Sequence, residues 1–153
     1  MQEKFMNVAI KEALKAKEKD EVPIGAVIVI DGKIISRAHN LMEKTQLATA
    51  HAEVLAINKA CKKLKSWRLD NAEMYITVEP CAMCAGAIAN ARIKKVYFGA
   101  YESKSGCAES KYKVLSDNGL NHSVEYCGGI KQEICANIIK NYFKSKRIKK
   151  SLD

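Results

Sequence analysis

The chain has 153 residues, 48% of them hydrophobic, and its 26 lysines and arginines exceed its 17 aspartates and glutamates, for a net charge of +9 and a pI near 9.2. That length predicts a single domain over residues 1–153, and the charge points to a polyanionic partner unless it is a plain lysine bias. No apolar run reaches the roughly 18 residues that span a bilayer, and the N-terminus is amphipathic with no signal-peptide core, so no membrane association and a cytoplasmic location are expected.

In chain order, Phe5, Met6, Ala9, Ile10, Ala13 and Leu14 recur at helical spacing and predict a first helix over residues 2–18. Residues 22–30 form a continuous β-branched run, the mark of a strand buried on both faces. Asp31-Gly32 then predicts a hairpin into a second strand over residues 33–38. Residues 39–50 show no period and end in Thr49, an expected N-cap for a helix from His51 to Leu64. A strand over 73–78 leads to Pro80, expected in the first turn of a third helix that carries Cys81 and Cys84. Strands over 94–99 and 123–126 follow. A last helix over 131–149 is expected to face inward with Ile134, Ile138, Ile139, Tyr142 and Phe143. Helices alternating with strands predict an α/β fold, a three-layer α/β/α sandwich around a mixed five-stranded sheet, with later strands joined by helical crossovers.

The chemistry lies in His51-Ala52-Glu53 and Glu79-Pro80-Cys81-Ala82-Met83-Cys84. Six cysteines without a secretory signal read as reduced thiols, and a close C-x-x-C pair reads as a metal or redox site. Cys81 and Cys84, three apart, share one helix face and can grip one ion, with His51 as a third ligand. With no fourth protein ligand nearby, zinc would keep a position for water, and Glu53 is the candidate proton carrier. A redox pair leaves His51 and Glu53 without a role, and a four-cysteine structural site needs a second C-x-x-C that this chain lacks. On a regular helix Glu53 would sit about 200° around from His51, so the two converge only at a helix end.

H-A-E followed by P-C-x-x-C resembles the signature of the zinc-dependent cytidine deaminase superfamily. The likeness is nearest to the bacterial tRNA adenosine deaminases. It extends over residues 21–27, 38–40, 49–53, 66–69, 78–87, Asn121-His122 and 142–147. The resemblance implies one zinc per subunit on His51, Cys81 and Cys84. It also implies hydrolytic deamination of the wobble adenosine of a tRNA anticodon, foremost an arginine tRNA, to inosine with loss of ammonia. Glu53 would take a proton from water and deliver protons to N1 and the departing amine. Asn40 matches a position that hydrogen-bonds the base, Val22 a pocket wall or a plain core residue, and Ala52 a backbone donor. Phe143, Lys144, Lys146 and Arg147 match an RNA-contacting helix, and the family is homodimeric, with the anticodon stem-loop as partner. The loop from Glu102 to Lys111 departs from the family pattern, so its contacts are not carried over. A deaminase of free guanine or other nucleobases or nucleotides with the same zinc motif is the rival enzyme, and a non-catalytic zinc-stabilised RNA-binding module the rival class.

Overall fold

The computed structural model describes residues 1–116 and 120–152. Its elements are α1 (Gln2–Glu18), β1 (Gly25–Ile30), β2 (Lys33–His39), α2 (Met42–Thr45), α3 (Ala52–Leu64), β3 (Glu73–Val78), α4 (Ala82–Asn90), β4 (Lys95–Ala100), β5 (Glu125–Cys127) and α5 (Gln132–Leu152). The strands form one five-stranded sheet in the order β2-β1-β3-β4-β5. β1 runs antiparallel to both neighbours, while β3, β4 and β5 are mutually parallel, so the sheet is mixed as expected.

Alternation along the strands divides the core into two layers. Ala26, Ile28, Met74, Ile76, Val96 and Phe98 point to the side covered by α3 and α4. Val27, Val29, Tyr75 and Tyr97 point to the side covered by α1 and α5. Phe98 alone, fully buried, contributes about 1.5–3 kcal/mol of transfer free energy. The β1–β2 turn is made by Asp31 and Gly32, both at positive φ (50° and 74°), the backbone of a type I′ hairpin. Gly25 lets α1 lie directly on β1, since a Cβ there would collide with the carbonyl of Ala9.

Several expectations are corrected. Residues 22–24 precede β1, and β5 starts two residues later than expected. The 39–50 stretch contains the short helix α2, whose first-turn amides are taken by a distant carboxylate. Thr49 does not cap α3: His51 is itself the N-cap, in extended backbone, and no side-chain cap comes from it. Pro80 lies outside α4, whose N-cap is Cys81. The β3–β4 crossover is helical, but among the described residues of 101–124 there is no helix, so β4 reaches β5 through turns. On α5 the inward positions are Cys135 and Tyr142, with Ile138 and Ile139 half-buried and Ile134 and Phe143 exposed. Cys135 takes the inner place because Gly99 leaves the room: a Cβ at Gly99 would meet its Sγ.

Candidate metal and active centre

α3 and α4 begin side by side at the end of β3, and each starts with a residue able to bind metal. His51 (φ −77°, ψ 149°) and Cys81 (φ −76°, ψ 177°) are extended N-caps, while Cys84 sits in the first turn of α4. Because His51 is not yet helical, its side chain and that of Glu53 reach the same space, which helical spacing alone would forbid. The His51 Nδ1 lies 3.7 Å from the Sγ of Cys81 and 3.5 Å from that of Cys84. Their donor atoms all fall within 4.8 Å of one another. Bond lengths of about 2.3 Å to sulfur and 2.0–2.1 Å to nitrogen in a tetrahedron separate N from S by about 3.6 Å, so the group fits a zinc-sized ion.

The protonation pattern agrees with that fit. Hydrogen bonds from Cys84 and then from His51 hold the Cys81 thiol at about 4, well below an ordinary cysteine, against the opposing effect of burial. The helix N-terminus favours the same thiolate. The same bond to Cys81, together with burial, pushes the Cys84 thiol up, and the interaction with Cys81 raises His51 although burial opposes it. Glu53 is 4% exposed, and its Oε1 has no hydrogen-bond partner among the described residues. Burial pushes its carboxyl up to about 7, its own backbone amide pulls it back, and the charge on Cys81 adds to the rise. A buried carboxyl with an unpaired oxygen, turned to three metal-binding side chains, is a group waiting for a proton-bearing partner.

Asn40, 3% exposed, places its Oδ1 2.7 Å from the N–H of Ala52 and so does the capping that Thr49 was expected to do. The Ala52 N–H, expected as a donor to substrate, is therefore already engaged. Val22 is half-buried, and with Asn40, Met42, Lys44, Tyr142 and Phe143 it lines a cleft of about 730 Å³. The structure thus brings Val22 and Asn40 together with the C-terminal helix. Lys146 also borders this cleft, but its Nζ is 2.7 Å from Asp20 in an exposed ion pair. Tyr142 donates to the same Asp20. Lys144 and Arg147 are exposed on the outer face of α5. A second cleft of about 330 Å³ opens at Cys81, walled by Met83, Lys104, Lys111 and Tyr112.

Three buried carboxylates were missed in the sequence, Glu12 on α1 and two that hold backbone amides. Glu21, 1% exposed, accepts the amides of Glu43 (2.9 Å) and Lys44 (2.7 Å) and so caps α2 from outside. Glu79, 3% exposed, accepts the amides of Glu102 (3.0 Å), Ala108 (3.1 Å), Glu109 (2.8 Å) and Ser110 (2.9 Å) and the hydroxyl of Ser110. Burial alone would raise the Glu79 carboxyl, but these bonds outweigh it and hold it below the usual carboxylate range. For these two the signal was available: each directly abuts an apolar run, Glu21 before Val22 and Glu79 after Val78, where a charge must find partners.

A sequence model of the MafB19-like deaminases matches residues 1–147. A tRNA-specific adenosine deaminase of Bacillus subtilis (strain 168) is 50% identical over 148 residues, covering 97% of this chain and 92% of that protein. A structure from work on A-to-I editing by tRNA:A34 deaminases at the wobble position of transfer RNA is 43% identical, with a TM-score of 0.85, covering 88% of this chain and 97% of that one. A guanine deaminase structure, also from Bacillus subtilis, is 41% identical with a TM-score of 0.63, but it covers 72% of this chain and 69% of that one. The shared fold and near-complete coverage at these identities make this chain a deaminase that hydrolyses a C–N bond, and it belongs to the bacterial tRNA-specific adenosine deaminases of the zinc-dependent cytidine deaminase superfamily.

Proposed function

We propose that this protein converts adenosine to inosine at the wobble position of a tRNA anticodon, foremost an arginine tRNA, by adding water and releasing ammonia. The observation that carries the reading is the buried Glu53 carboxyl, with one unpaired oxygen, beside the His51-Cys81-Cys84 donor group. Those three residues would hold one zinc per subunit, which when bound would supply the Lewis acidity that makes water a nucleophile at neutral pH. Glu53 takes the proton from the attacking water and returns protons to N1 of the adenine and to the departing amine. Burial, which raises this carboxyl, lets it hold a proton as well as take one, as both directions of transfer require.

Asn40, its oxygen engaged by Ala52, has its amide nitrogen left to donate to the base, and Val22 forms the wall beside it. Ala52 acts through its bond to Asn40, as part of the frame around the base. A base held there must leave its stack, and the cleft leading outward carries the aromatic and basic side chains that a single-stranded loop needs. Phe143 offers a stacking face, while Lys144 and Arg147 contact phosphates; Lys146 joins them by exchanging its Asp20 partner. Among the described residues no helix is long and apolar enough to cross a membrane. We place the enzyme in the cytoplasm as a homodimer acting on the anticodon stem-loop.

The test is incubation of purified protein with an anticodon stem-loop bearing a wobble adenosine, with inosine and zinc both quantified. One zinc per chain and inosine at that position are expected. Ammonia released from free guanine, with the stem-loop left intact, would overturn the RNA substrate in favour of nucleobase deamination.

A further inference from the structure

We propose that Glu79 is a positioning residue for substrate: its carboxylate fixes the 101–112 loop as one wall of the cleft at Cys81. This rests on the RNA substrate of the preceding section and goes beyond it in naming what sets that wall. The carboxylate has no cationic partner among the described residues and is satisfied by neutral donors alone. One oxygen takes the Glu102 amide and the Ser110 hydroxyl, and the other takes three successive amides, from Ala108, Glu109 and Ser110. Such a ring of amides around one anion specifies a single loop conformation.

The loop is built around that anion. Gly106 has no side chain because a Cβ there would strike the Glu79 carboxyl. Cys107 donates its amide to the carbonyl of Pro80 at 2.7 Å, which ties the loop to the residue just before the Cys81 ligand. Held in this way, Lys104, Lys111 and Tyr112 face the cleft beside Cys81 and Met83. Two ammonium groups and an exposed ring meet the phosphates and bases that flank a reacting nucleotide. None of them belongs to the donor group, so the loop governs how substrate is held and leaves the proton transfers to Glu53. An apolar residue here would leave four loop amides without their acceptor, whereas a buried carboxylate ringed by donors satisfies them in one loop geometry.

Glu79→Gln tests this, because whichever way the amide turns it sets an NH2 against groups that also donate. The zinc-loaded variant is compared with the wild type for amide hydrogen exchange, zinc content, and KM and kcat on the stem-loop. Protection of the Glu102, Ala108, Glu109 and Ser110 amides is expected to fall by about tenfold or more, and KM to rise by about tenfold, with kcat within about threefold and zinc retained. Unchanged protection, or a KM that stays put while protection falls, would overturn the proposal. A lost zinc with a fallen kcat and constant KM would assign Glu79 to the metal site. Should Glu79→Gln fail to fold, Ser110→Ala, which removes a single donor, is expected to give a smaller KM rise of about twofold to threefold; an unchanged KM there overturns the proposal equally. A wild type inactive on the stem-loop refutes the RNA substrate, and the exchange data still decide whether Glu79 holds the loop.

Discussion

The Oδ1 of Asn40 accepts a hydrogen bond from the backbone N–H of Ala52 at 2.7 Å, so the residue proposed to touch the base also holds the first turn of the helix that begins at His51. Asn40→Ala leaves that amide buried without a partner and is expected to cost about 1–2 kcal/mol, seen as a thermal midpoint lower by roughly 2–8 °C. Asn40→Asp keeps the acceptor, so it should recover most of the midpoint while still losing activity, because no amide nitrogen remains to donate to the base. Equal stability losses in the two variants would show that the capping bond is not what Asn40 contributes to the fold.

Glu53 has the opposite balance of function and stability. Its unpaired Oε1 and its raised carboxyl place a costly group in the interior. Glu53→Gln removes the ionisable proton carrier and is expected to lower kcat by about two to four orders of magnitude with zinc content unchanged. Its thermal midpoint should equal or exceed that of the wild type. Single-turnover deamination at the wild-type rate would remove Glu53 from the proton transfers.

Metal removal should act on folding and activity together, since the proposed ligands stand at the starts of two different helices. Chelation is expected to abolish deamination and lower the thermal midpoint. Returning zinc at about a thousandfold over its Kd should restore about 4 kcal/mol. Cys84→Ser, in the buried ligand position, should show the low midpoint without response to added zinc. A full response in that variant would exclude Cys84 as a ligand.

On the opposite face of the sheet, Glu12 makes a buried cluster, 3.0 Å from the Nδ1 of His39 and 2.7 Å from Lys15. Burial pushes its carboxyl up, but the bonds from Lys15 and His39 outweigh this and lower it below the ordinary value of 4.5. A lowered carboxyl means that the unfolded chain binds its proton first as pH falls. The stabilisation is therefore complete above about 4.5 and lost as the pH drops through the lower folded value. Denaturant melts of the wild type and Glu12→Gln at neutral and acid pH check this, and the variant should lose less stability on acidification. Parallel losses would place the acid-sensitive group elsewhere.

The elements that bury a broad apolar face were legible in the sequence. α1 matches its expected bounds, and β1 to β4 and α5 match within a few residues, because their periods are long and unbroken. The donor group was legible too: His51, Cys81 and Cys84, picked out by type and spacing, bring their donor atoms within 4.8 Å of one another. The caps were not: Thr49 is a better N-cap by type than His51, and only the side chain of Asn40, twelve residues upstream of the Ala52 amide, makes it unnecessary. The apolar runs beside Glu79 and Glu21 mark both acids as needing partners, but not which ones. Their partners are backbone amides as far as 31 residues away, and an amide carries no residue type that a sequence could display. The α5 face was misjudged by one position because the vacancy that admits Cys135 is opened on another element, at Gly99.

His51 and Cys81 both stand where a helix begins, and the helices behind them carry Ala52, Ala56, Ala60, Ala85 and Ala89, all buried in the core layer they share. Methyl groups allow two helices to lie close, and they leave no flexible side chain to absorb an intrusion. A bulkier residue deep in that seam would spread the two axes and, through them, the grip on the ion. With zinc on the proposed ligands, metal affinity would gauge core packing, and substitutions that never touch the donors should be readable as changes in how tightly zinc is held.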